Sequence, residues 1–309
     1  MKPLKNAPLI TVFTATYNRG HLIQRIYQSL LRQKEFNFEW LVIDDGSQDQ
    51  TEDLFNDWIG RDNPFEIRYY KQENQGLIRT LNRGIELARG EYFAKIDSDD
   101  YVVDEYMENI SAWTDSIKGV KDVYAVAGIK VDSDGTPLNG KWPAIPKEPG
   151  YIDATDLQRA AYSLDADMCE AWRTDVLKKY PFPVWKSEKF APEQIVFYQI
   201  ALDGQKIRWY PNAMAICEYQ DNGLTKGSRK LEIDNPMGYA MMYNHKLKYD
   251  ISFAQKLRCA MQCIALSIVG HNPRYVFQSN MPIASIMMFI PGVLLAIRRS
   301  FQYRREQMK

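Results

Sequence analysis

The sequence has 309 residues, of which 45% are hydrophobic, and this is enough to form the core of one large domain or two modest ones. Basic and acidic residues number 39 each, so the formal net charge is zero and composition gives no indication of a nucleic-acid-binding protein. The four cysteines show neither CxxC spacing nor a neighbouring set of histidines, which argues against a zinc site and indicates buried thiols.

The first hundred residues alternate between short apolar runs and segments with helical periodicity. Strands are predicted at residues 9–14, 40–43, 67–70 and 92–96, and helices at residues 22–31, 51–59 and 77–88. Strands and helices that alternate in this way are typical of a parallel sheet covered by helices. The sequence therefore predicts an α/β fold.

The region after residue 100 is less regular. Strands are predicted at residues 123–131 and 168–173, and a turn at residues 132–135. A helix is predicted to begin at Pro192 and Glu193, because proline suits the first helical turn and an acidic residue suits the positive end of the helix dipole. Gly204 is expected to end it.

The C-terminal part has a different composition. Residues 281–297 carry no charge and are followed by arginines at positions 298, 299, 304 and 305. The run is about as long as the shortest spanning helices, roughly 17 residues, but Pro291 and Gly292 interrupt it. We expect it to lie at the membrane interface, with a spanning helix or a buried helical subdomain as alternatives. Because the N-terminus lacks a signal-peptide cleavage pattern, we expect a cytoplasmic protein that is peripheral on the cytoplasmic membrane face.

Polar residues follow three of the predicted strands. They are residues 17–20 (Tyr-Asn-Arg-Gly), 44–47 (Asp-Asp-Gly-Ser) and 97–100 (Asp-Ser-Asp-Asp). In open α/β sheets, ligands bind outside the carboxyl ends of the strands. We therefore expect the three loops to converge on one edge of the sheet and to form a binding site.

Residues 97–100 bring three carboxylates together. Asp97, Asp99 and Asp100 are the oxygen donors that a hard divalent cation prefers, and such a cation can neutralise a diphosphate. In an extended segment, the side chains of Asp97 and Asp99 would point to the same side and Ser98 away from it. Taken alone, the segment also suits a solvated turn or a helix cap, as does the Asp-Gly pair at positions 45 and 46. The joint occurrence of both motifs favours a binding site.

Several motifs, in this order and spacing, resemble family-2 glycosyltransferases. They are VFTATYN at 12–18, LVIDDGS at 41–47, NRGI at 82–85 with ARGEY at 88–92, and IDSDD at 96–100. The resemblance covers about the first 110 residues, and a weaker one to bacterial polysaccharide-assembly members extends over residues 188–225. It implies a GT-A (Rossmann-like) fold with a mixed, mainly parallel sheet, helices on both faces and a C-terminal helical, membrane-associating region.

The same resemblance implies a division of the chain. Residues 1–110 would form the nucleotide-sugar-binding half of the GT-A domain, residues 111–228 the acceptor-binding half, and residues 229–309 the membrane-associating region. The implied activity is inverting transfer of a sugar from a nucleotide-diphosphate sugar, with UDP as the leading choice. The implied acceptor is a saccharide hydroxyl in cell-surface polysaccharide biosynthesis, and the membrane-facing tail favours a lipid-linked one.

The resemblance also assigns the donor site. Ala15 and Tyr17 would line the nucleobase pocket, and Asp45 would accept a hydrogen bond from the base. Asp97, Ser98 and Asp99 would face the ribose, the diphosphate and a divalent metal ion, Mn²⁺ or Mg²⁺. Asp99 ranks first as the metal ligand, with Asp97 and Asp100 beside it. The sequence departs from the family pattern at residues 76–79, so no phosphate contact is assigned there.

Inversion by a single displacement requires a base that removes the proton of the acceptor hydroxyl, and a carboxylate can serve. Glu193 is the candidate, since similar proteins place their base at the start of a helix in this part of the chain. The alternative is that Glu193 only stabilises the helix dipole, worth roughly 0.3 to 1 kcal/mol. Asp165, Asp167 and Glu170 are rivals that could instead orient the acceptor.

Two other functions remain open at the level of sequence. A nucleotidyltransferase would share the α/β sheet, the carboxylates and the metal ion, but it should carry a glycine-rich, basic phosphate loop after the first strand, and residues 17–20 match that poorly. A non-catalytic nucleotide-sugar-binding membrane protein would keep the aspartates and would not need Glu193.

Overall fold

The computed structural model describes residues 7–164, 167–218 and 228–307. The chain forms two compact units, of which the first comprises residues 1–181 and 198–220 and the second residues 182–197 and 221–309. The predicted C-terminal region, 229–309, falls within the second unit. The predicted acceptor half, 111–228, contributes residues to both.

The first unit contains the β-sheet. Its strands are β1 (Ile10–Thr16), β2 (Phe38–Asp44), β3 (Glu66–Lys71), β4 (Tyr92–Lys95), β5 (Tyr101–Val102), β6 (Val123–Val131), β7 (Ile152–Ala154), β8 (Met168–Arg173) and β9 (Lys206–Ile216). Its helices are α1 (Gln24–Leu31), α2 (Thr51–Ile59), α3 (Leu77–Leu87), α4 (Tyr106–Ser116) and α5 (Thr174–Leu177), with a 3₁₀ segment at Asp156–Tyr162.

Helix α6 (Gln194–Leu202) begins in the second unit and ends in the first. The second unit is otherwise built from helices. They are α7 (Ser228–Asp234), α8 (Pro236–Lys246), α9 (Phe253–Val269), α10 (Pro282–Met287) and α11 (Phe289–Gln307), with a 3₁₀ segment at Pro273–Gln278.

The strand order is β3-β2-β1-β4-β8-β6-β9-β5, and β7 pairs with β9. The first four strands in sequence pair in parallel, as the alternation of strands and helices predicts. Strand β8 is antiparallel to both β4 and β6, and β9 is antiparallel to β5 and β7 but parallel to β6. The mixed α/β class is confirmed, but among the described strands parallel and antiparallel pairings are equal in number.

The central parallel strands are held by a hydrophobic core. All seven residues of β2 are buried, as expected for a strand covered on both faces. The rings of Tyr27 and Trp58 stack with centroids 4.4 Å apart, beside Trp40 of β2. In the β1–β2 pairing, Thr16 lies opposite Asp44, so both strands end at the same level. The loops that follow them therefore begin side by side.

Gly90, in the ARGEY motif, lies against β1. Its N–H donates to Oγ1 of Thr11 at 2.9 Å, and an added Cβ would lie 2.2 Å from the backbone nitrogen of Thr11. We expect Gly90→Ala to lower the free energy of unfolding by about 1 to 3 kcal/mol in urea denaturation, because the β1 backbone must shift to admit the methyl group. Gly60→Ala is the control, since its Cβ would meet nothing closer than 3.4 Å. An equal loss in both variants would contradict this explanation.

The uncharged run at residues 281–297 is divided between two helices. Helix α10 ends at Met287, and α11 begins at Phe289 with Pro291 in its first turn, where a proline is tolerated. The run is interrupted, as predicted, but the break lies at Met288, and Pro291 and Gly292 are part of α11. Among the described residues, the structure contains no helix with the length and hydropathy needed to cross a membrane.

Candidate active site

The loops after β1 and β2 are joined to each other by hydrogen bonds. The N–H of Asn18 donates to Oγ of Ser47, and the N–H of Gln48 donates to Oδ1 of Asn18, both at 2.8 Å. Asp44 is fully buried, and its carboxylate accepts from the N–H of Ser47 at 2.7 Å and from the hydroxyl of Tyr69 at 2.6 Å. The two loops therefore form one braced edge of the sheet.

Ala15 and Tyr17 lie at the carboxyl end of β1. Ala15 is half-buried, whereas the side chain of Tyr17 is 48% exposed. An exposed tyrosine ring beside a braced loop offers a flat apolar surface on which a nucleobase can stack. Their assignment to the base pocket stays a prediction.

Asp45 is buried, and its carboxylate holds the loop that leads into α3. Oδ1 accepts from the N–H of Gln75 at 2.9 Å and from Nε2 of Gln72 at 2.7 Å, and Oδ2 accepts from the N–H of Gly76 at 2.8 Å. A carboxylate can accept about four hydrogen bonds, so acceptor capacity remains for a ligand. Asp45 therefore positions the 72–76 loop as well as being the predicted partner of the base.

Gln72 is a site residue that the sequence reasoning missed. Its Nε2 donates to Asp45, and its Oε1 accepts from Nη1 of Arg83 at 2.6 Å, so it connects the NRGI motif to the Asp45 carboxylate. A signal was present, because Gln72 lies just beyond the third predicted strand, at the edge where ligands bind.

Residues 97–100 form a turn. The N–H of Asp100 donates to the backbone carbonyl of Asp97 at 3.0 Å, and residues 98 and 99 do not continue strand β4. The expectation that Asp97 and Asp99 point to one side rested on an extended backbone, so it does not apply here. The positions of the carboxylates follow from the turn and from their ionic partners.

Lys130, on strand β6, holds two of the three aspartates. Its Nζ lies 2.7 Å from Oδ2 of Asp100 and 3.0 Å from Oδ2 of Asp97, and Nζ of Lys95 lies 3.1 Å from Oδ1 of Asp97. Lys130 and Asp100 are both buried. Lysine is rarely buried unless it is paired, so a lysine within the apolar strand was the available sequence signal.

The pKa shifts in this cluster follow from burial and pairing. Burial lowers the pKa of Lys130, but Asp97 and Asp100 raise it by more, so this lysine stays protonated. Burial raises the pKa of Asp97, but Lys95 and Lys130 outweigh burial and hold the pKa below its ordinary value. For Asp100, burial has the larger effect and raises the pKa. When all three aspartates are ionised, the two lysines leave the cluster with one formal negative charge.

The carboxylates at residues 97–100 differ in how well they suit a divalent metal ion. In the part of the chain that the structure describes, no group of three or more His, Cys, Asp or Glu side chains is arranged to hold a metal. Asp99 is half-buried and makes no ion pair with any described residue, whereas Asp97 and Asp100 are held by lysines. A Mg²⁺ ion bound with substrate phosphates usually takes one or two carboxylates from the protein. The cluster fits such an ion through Asp99, and not a site built from all three aspartates.

Glu193 lies immediately before α6, and its backbone carbonyl accepts from the N–H of Val196 at 3.0 Å. Its side chain is partly exposed. The helix was predicted to begin at Pro192 and Glu193, and it begins at Gln194. Glu193 belongs to the second unit, whereas the loops after β1, β2 and β4 belong to the first. Its role as a base stays a prediction.

Glu188, five residues earlier, caps a helix. Its Oε1 accepts from the N–H of Met237 and its Oε2 from the N–H of Gly238, both at 2.7 Å, in the first turn of α8. Burial raises the pKa of Glu188, and the two N–H donors only partly offset the effect. Both oxygens of this buried carboxylate therefore bind the backbone of α8, and its role is to stabilise the second unit.

The rivals of Glu193 are placed as follows. Glu170 accepts a hydrogen bond from Nε1 of Trp172 at 2.7 Å, within β8. Asp167 is exposed, and its backbone carbonyl accepts from the N–H of Lys130 at 3.0 Å. Asp165 lies outside the described residues.

The fold and this edge define a mixed α/β domain whose polar loops gather at one edge of the sheet, and comparisons with known proteins show which family it resembles. Residues 11–159 match the model of glycosyl transferase family 2. The putative glycosyltransferase EpsH of Bacillus subtilis is 39% identical over 103 residues, which is 33% of this chain and 29% of that protein. The hyaluronan synthase of Pasteurella multocida is 30% identical over 147 residues, which is 47% of this chain and 15% of that protein.

Two solved structures share the fold. S. aureus TarS 1-349 in complex with UDP-GlcNAc has a TM-score of 0.58 at 20% identity, covering 84% of this chain and 72% of that one. The mannosyltransferase PcManGT from Pyrobaculum calidifontis, in complex with GDP-Man and Mn²⁺, has a TM-score of 0.56 at 17% identity, covering 99% of this chain and 87% of that one.

Residues 11–159 of this protein therefore match glycosyltransferase family 2, as the motifs indicated, and the solved structures share its fold. The family model covers residues 11–159, which include the loops after β1, β2 and β4. The matches to the two curated relatives span 29% and 15% of those proteins' own lengths, so their whole activities are not transferred to this chain.

Proposed function

We propose that this protein is an inverting glycosyltransferase that moves a sugar from a UDP-sugar to a hydroxyl of a saccharide acceptor. The observation that carries the proposal is the braced edge of the sheet, where Tyr17, the Asp45-held loop and the turn at residues 97–100 lie within the region that matches the family model. The TarS complex with UDP-GlcNAc supports the choice of a uridine nucleotide.

The proposed donor site divides the work among these residues. The Tyr17 ring stacks on the base beside Ala15, and the remaining acceptor capacity of Asp45 receives an N–H of the base. Asp97, fixed by Lys95 and Lys130, and Ser98 face the ribose and the diphosphate. Because the cluster keeps only one formal negative charge, it repels the diphosphate less than three open carboxylates would.

Asp99 would hold a Mn²⁺ or Mg²⁺ ion, which when bound neutralises the charge that develops on the departing nucleoside diphosphate. The complex of PcManGT with GDP-Man and Mn²⁺ supports a divalent ion. Glu193 would accept the proton of the acceptor hydroxyl while the oxygen of that hydroxyl attacks the anomeric carbon on the face opposite the leaving group. The anomeric configuration is thereby inverted in one step.

The proposed acceptor is a lipid-linked saccharide of cell-surface polysaccharide assembly, used at the cytoplasmic face of the membrane. The similarity to the hyaluronan synthase of Pasteurella multocida supports a polysaccharide product. The charge-free run and its arginines support a membrane-proximal acceptor.

The proposal is tested by incubating the protein with radiolabelled UDP-, GDP- and dTDP-sugars, with and without Mn²⁺, and separating the nucleotide products. We expect slow hydrolysis or transfer from a UDP-sugar, with release of UDP. In a parallel incubation with a nucleoside triphosphate and a sugar phosphate, release of pyrophosphate would instead show a nucleotidyltransferase. Donor binding with no turnover in the presence of candidate saccharide acceptors would leave a binding protein.

Asp99→Ala should abolish the strengthening of UDP binding by Mn²⁺, because Asp99 is the carboxylate of the cluster that makes no ion pair with a described residue. Isothermal titration calorimetry with and without Mn²⁺ measures this effect. We expect at least about ten-fold weaker binding in the presence of Mn²⁺, since losing even a residue that supports a metal ligand costs about ten-fold or more in metal affinity. The control is Asp104→Ala, an exposed acid that pairs with Arg32. Unchanged affinity of Asp99→Ala with Mn²⁺ would remove Asp99 from the metal site.

A further inference from the structure

Large apolar side chains are exposed in a row on the last two helices of the second unit. Ile286 is 76% exposed and Ile290 is 71% exposed. We call the row the apolar ridge; it consists of Ile283, Ile286, Ile290, Leu294, Ile297 and Phe301. Single exposed apolar residues are common on soluble proteins, but several large ones along two consecutive helices mark an interaction surface.

The ridge lies on a defined face of α11. Ile290, Leu294, Ile297 and Phe301 are spaced by four, three and four residues, which places them on one side of the helix. The opposite side is lined by small residues, since Gly292 and Ala296 are buried. A Cβ on Gly292 would lie 2.6 Å from Ile264 of α9, so the two helices are in close contact there.

This arrangement reverses the pattern of an ordinary surface helix, which buries its large apolar residues and exposes polar ones. The helix cannot rotate to bury the ridge, because the small face is what allows its close approach to α9. Tyr303 adds a second constraint, since its hydroxyl donates to Oε1 of Glu232 at 2.6 Å. The packing of α11 therefore keeps the ridge exposed. The ridge can be buried only against a binding partner outside the core of the second unit.

Charge indicates the class of partner. Eight of the 39 basic residues but only one of the 39 acidic residues lie at positions 251–309. Among the described side chains of this segment, Arg258, Arg274 and Arg298 are exposed. A second copy of the chain would bring these positive charges against each other, and a nucleic acid would leave the ridge in water. An anionic lipid surface satisfies both features, since acyl chains accept the ridge and head groups attract the arginines.

We infer that the apolar ridge is the face through which this protein lies on an anionic membrane surface, with α11 resting along the interface rather than crossing it. The inference rests on the packing of α9, α10 and α11 and on charge, and it does not depend on sugar transfer.

The test is a flotation assay of the full chain with vesicles of phosphatidylcholine alone and with added phosphatidylglycerol. We expect binding to the anionic vesicles that weakens in high salt. The ridge variant Ile286→Glu/Ile290→Glu/Leu294→Glu should bind at least about ten-fold more weakly, because three inserted apolar side chains are lost. The matched control is Val120→Glu/Leu157→Glu/Leu202→Glu, which makes the same charge change at apolar positions that are 37 to 38% exposed in the first unit.

Folding of each variant is checked by circular dichroism, and because the ridge side chains are exposed we expect little change in thermal stability. Where the glutamates do disturb the fold, Ile290→Ser/Leu294→Ser provides a milder variant with the same expected direction. Equal binding of the ridge variant and the control would overturn the inference. The inference would also be overturned if the native chain did not bind vesicles and instead formed a dimer, seen by light scattering, that the ridge variant did not form. None of these measurements involves sugar transfer, so failure of the proposed function would leave them unaffected.

Discussion

Glu193→Gln should lower the rate of sugar transfer on the order of 100-fold or more, because the amide cannot accept the proton of the acceptor hydroxyl. Affinity for UDP should stay within about two-fold, since the residues assigned to the donor all lie in the first unit and Glu193 lies in the second. Transfer from a labelled donor and calorimetry with UDP measure the two quantities. A variant that keeps more than about a tenth of the native rate would remove Glu193 from the role of base.

Glu188→Gln is the matched control for this experiment, and it should behave in the opposite way. The amide retains one acceptor oxygen, so one of the two N–H donors at the start of α8 loses its partner. A buried unsatisfied donor costs about 1 to 3 kcal/mol, and we therefore expect lower stability in urea with a smaller effect on the rate per folded molecule. If Glu188→Gln abolished transfer without destabilising the chain, the two roles would have to be exchanged.

Lys130→Met should destabilise the first unit by roughly 3 kcal/mol or more, because removing one partner of a buried ion pair leaves an uncompensated charge. Methionine has a similar shape, so the loss reports the missing ammonium group rather than a cavity. Asp100 is affected most, since it is buried with its Oδ2 2.7 Å from Nζ of Lys130. Affinity for UDP should also fall, because the cluster becomes more negative where the diphosphate is proposed to bind.

Two further variants separate these effects. Lys95→Met removes an ion pair that is partly exposed, so we expect a loss below about 1 kcal/mol. Lys130→Met/Asp100→Asn removes both buried charges, and it should recover much of the stability lost in Lys130→Met. Urea unfolding of the four proteins forms the comparison. Lys95→Met and Lys130→Met with equal stability, or a double variant without recovery, would contradict the proposed pairing.

The local elements of the fold were predictable from sequence. Helix α2 and strands β6 and β8 occupy the predicted residues 51–59, 123–131 and 168–173. These elements were predictable because the pattern of apolar residues within each segment indicates its secondary structure. The position of the three polar loops was also predictable, since it follows from the carboxyl ends of strands. The antiparallel insertion of β8 between β4 and β6 was not, because strand order depends on contacts between distant segments.

In the candidate site, too, local features were predictable and contacts between distant segments were not. The identity of the aspartates at 97–100 was visible in the sequence, but their partner Lys130 comes 30 residues after Asp100 and nothing local links them. The turn at residues 97–100 was considered only as an alternative, because the argument from alternating side chains extended the strand past its end at Lys95. Glu188 and Glu193 could not be told apart by residue type, since only the packing of α8 shows that Glu188 accepts from two of its backbone N–H groups.

The hydrogen bonds that join Asn18 to Ser47 and Gln48 have a consequence for how relatives of this protein can vary. Each residue is useful only while the other loop keeps its length, because the bonds run from backbone to side chain in both directions. A change in the length of one loop should therefore be accepted only with a compensating change in the other. Insertions should be rare in either loop, although the positions are 29 residues apart in sequence.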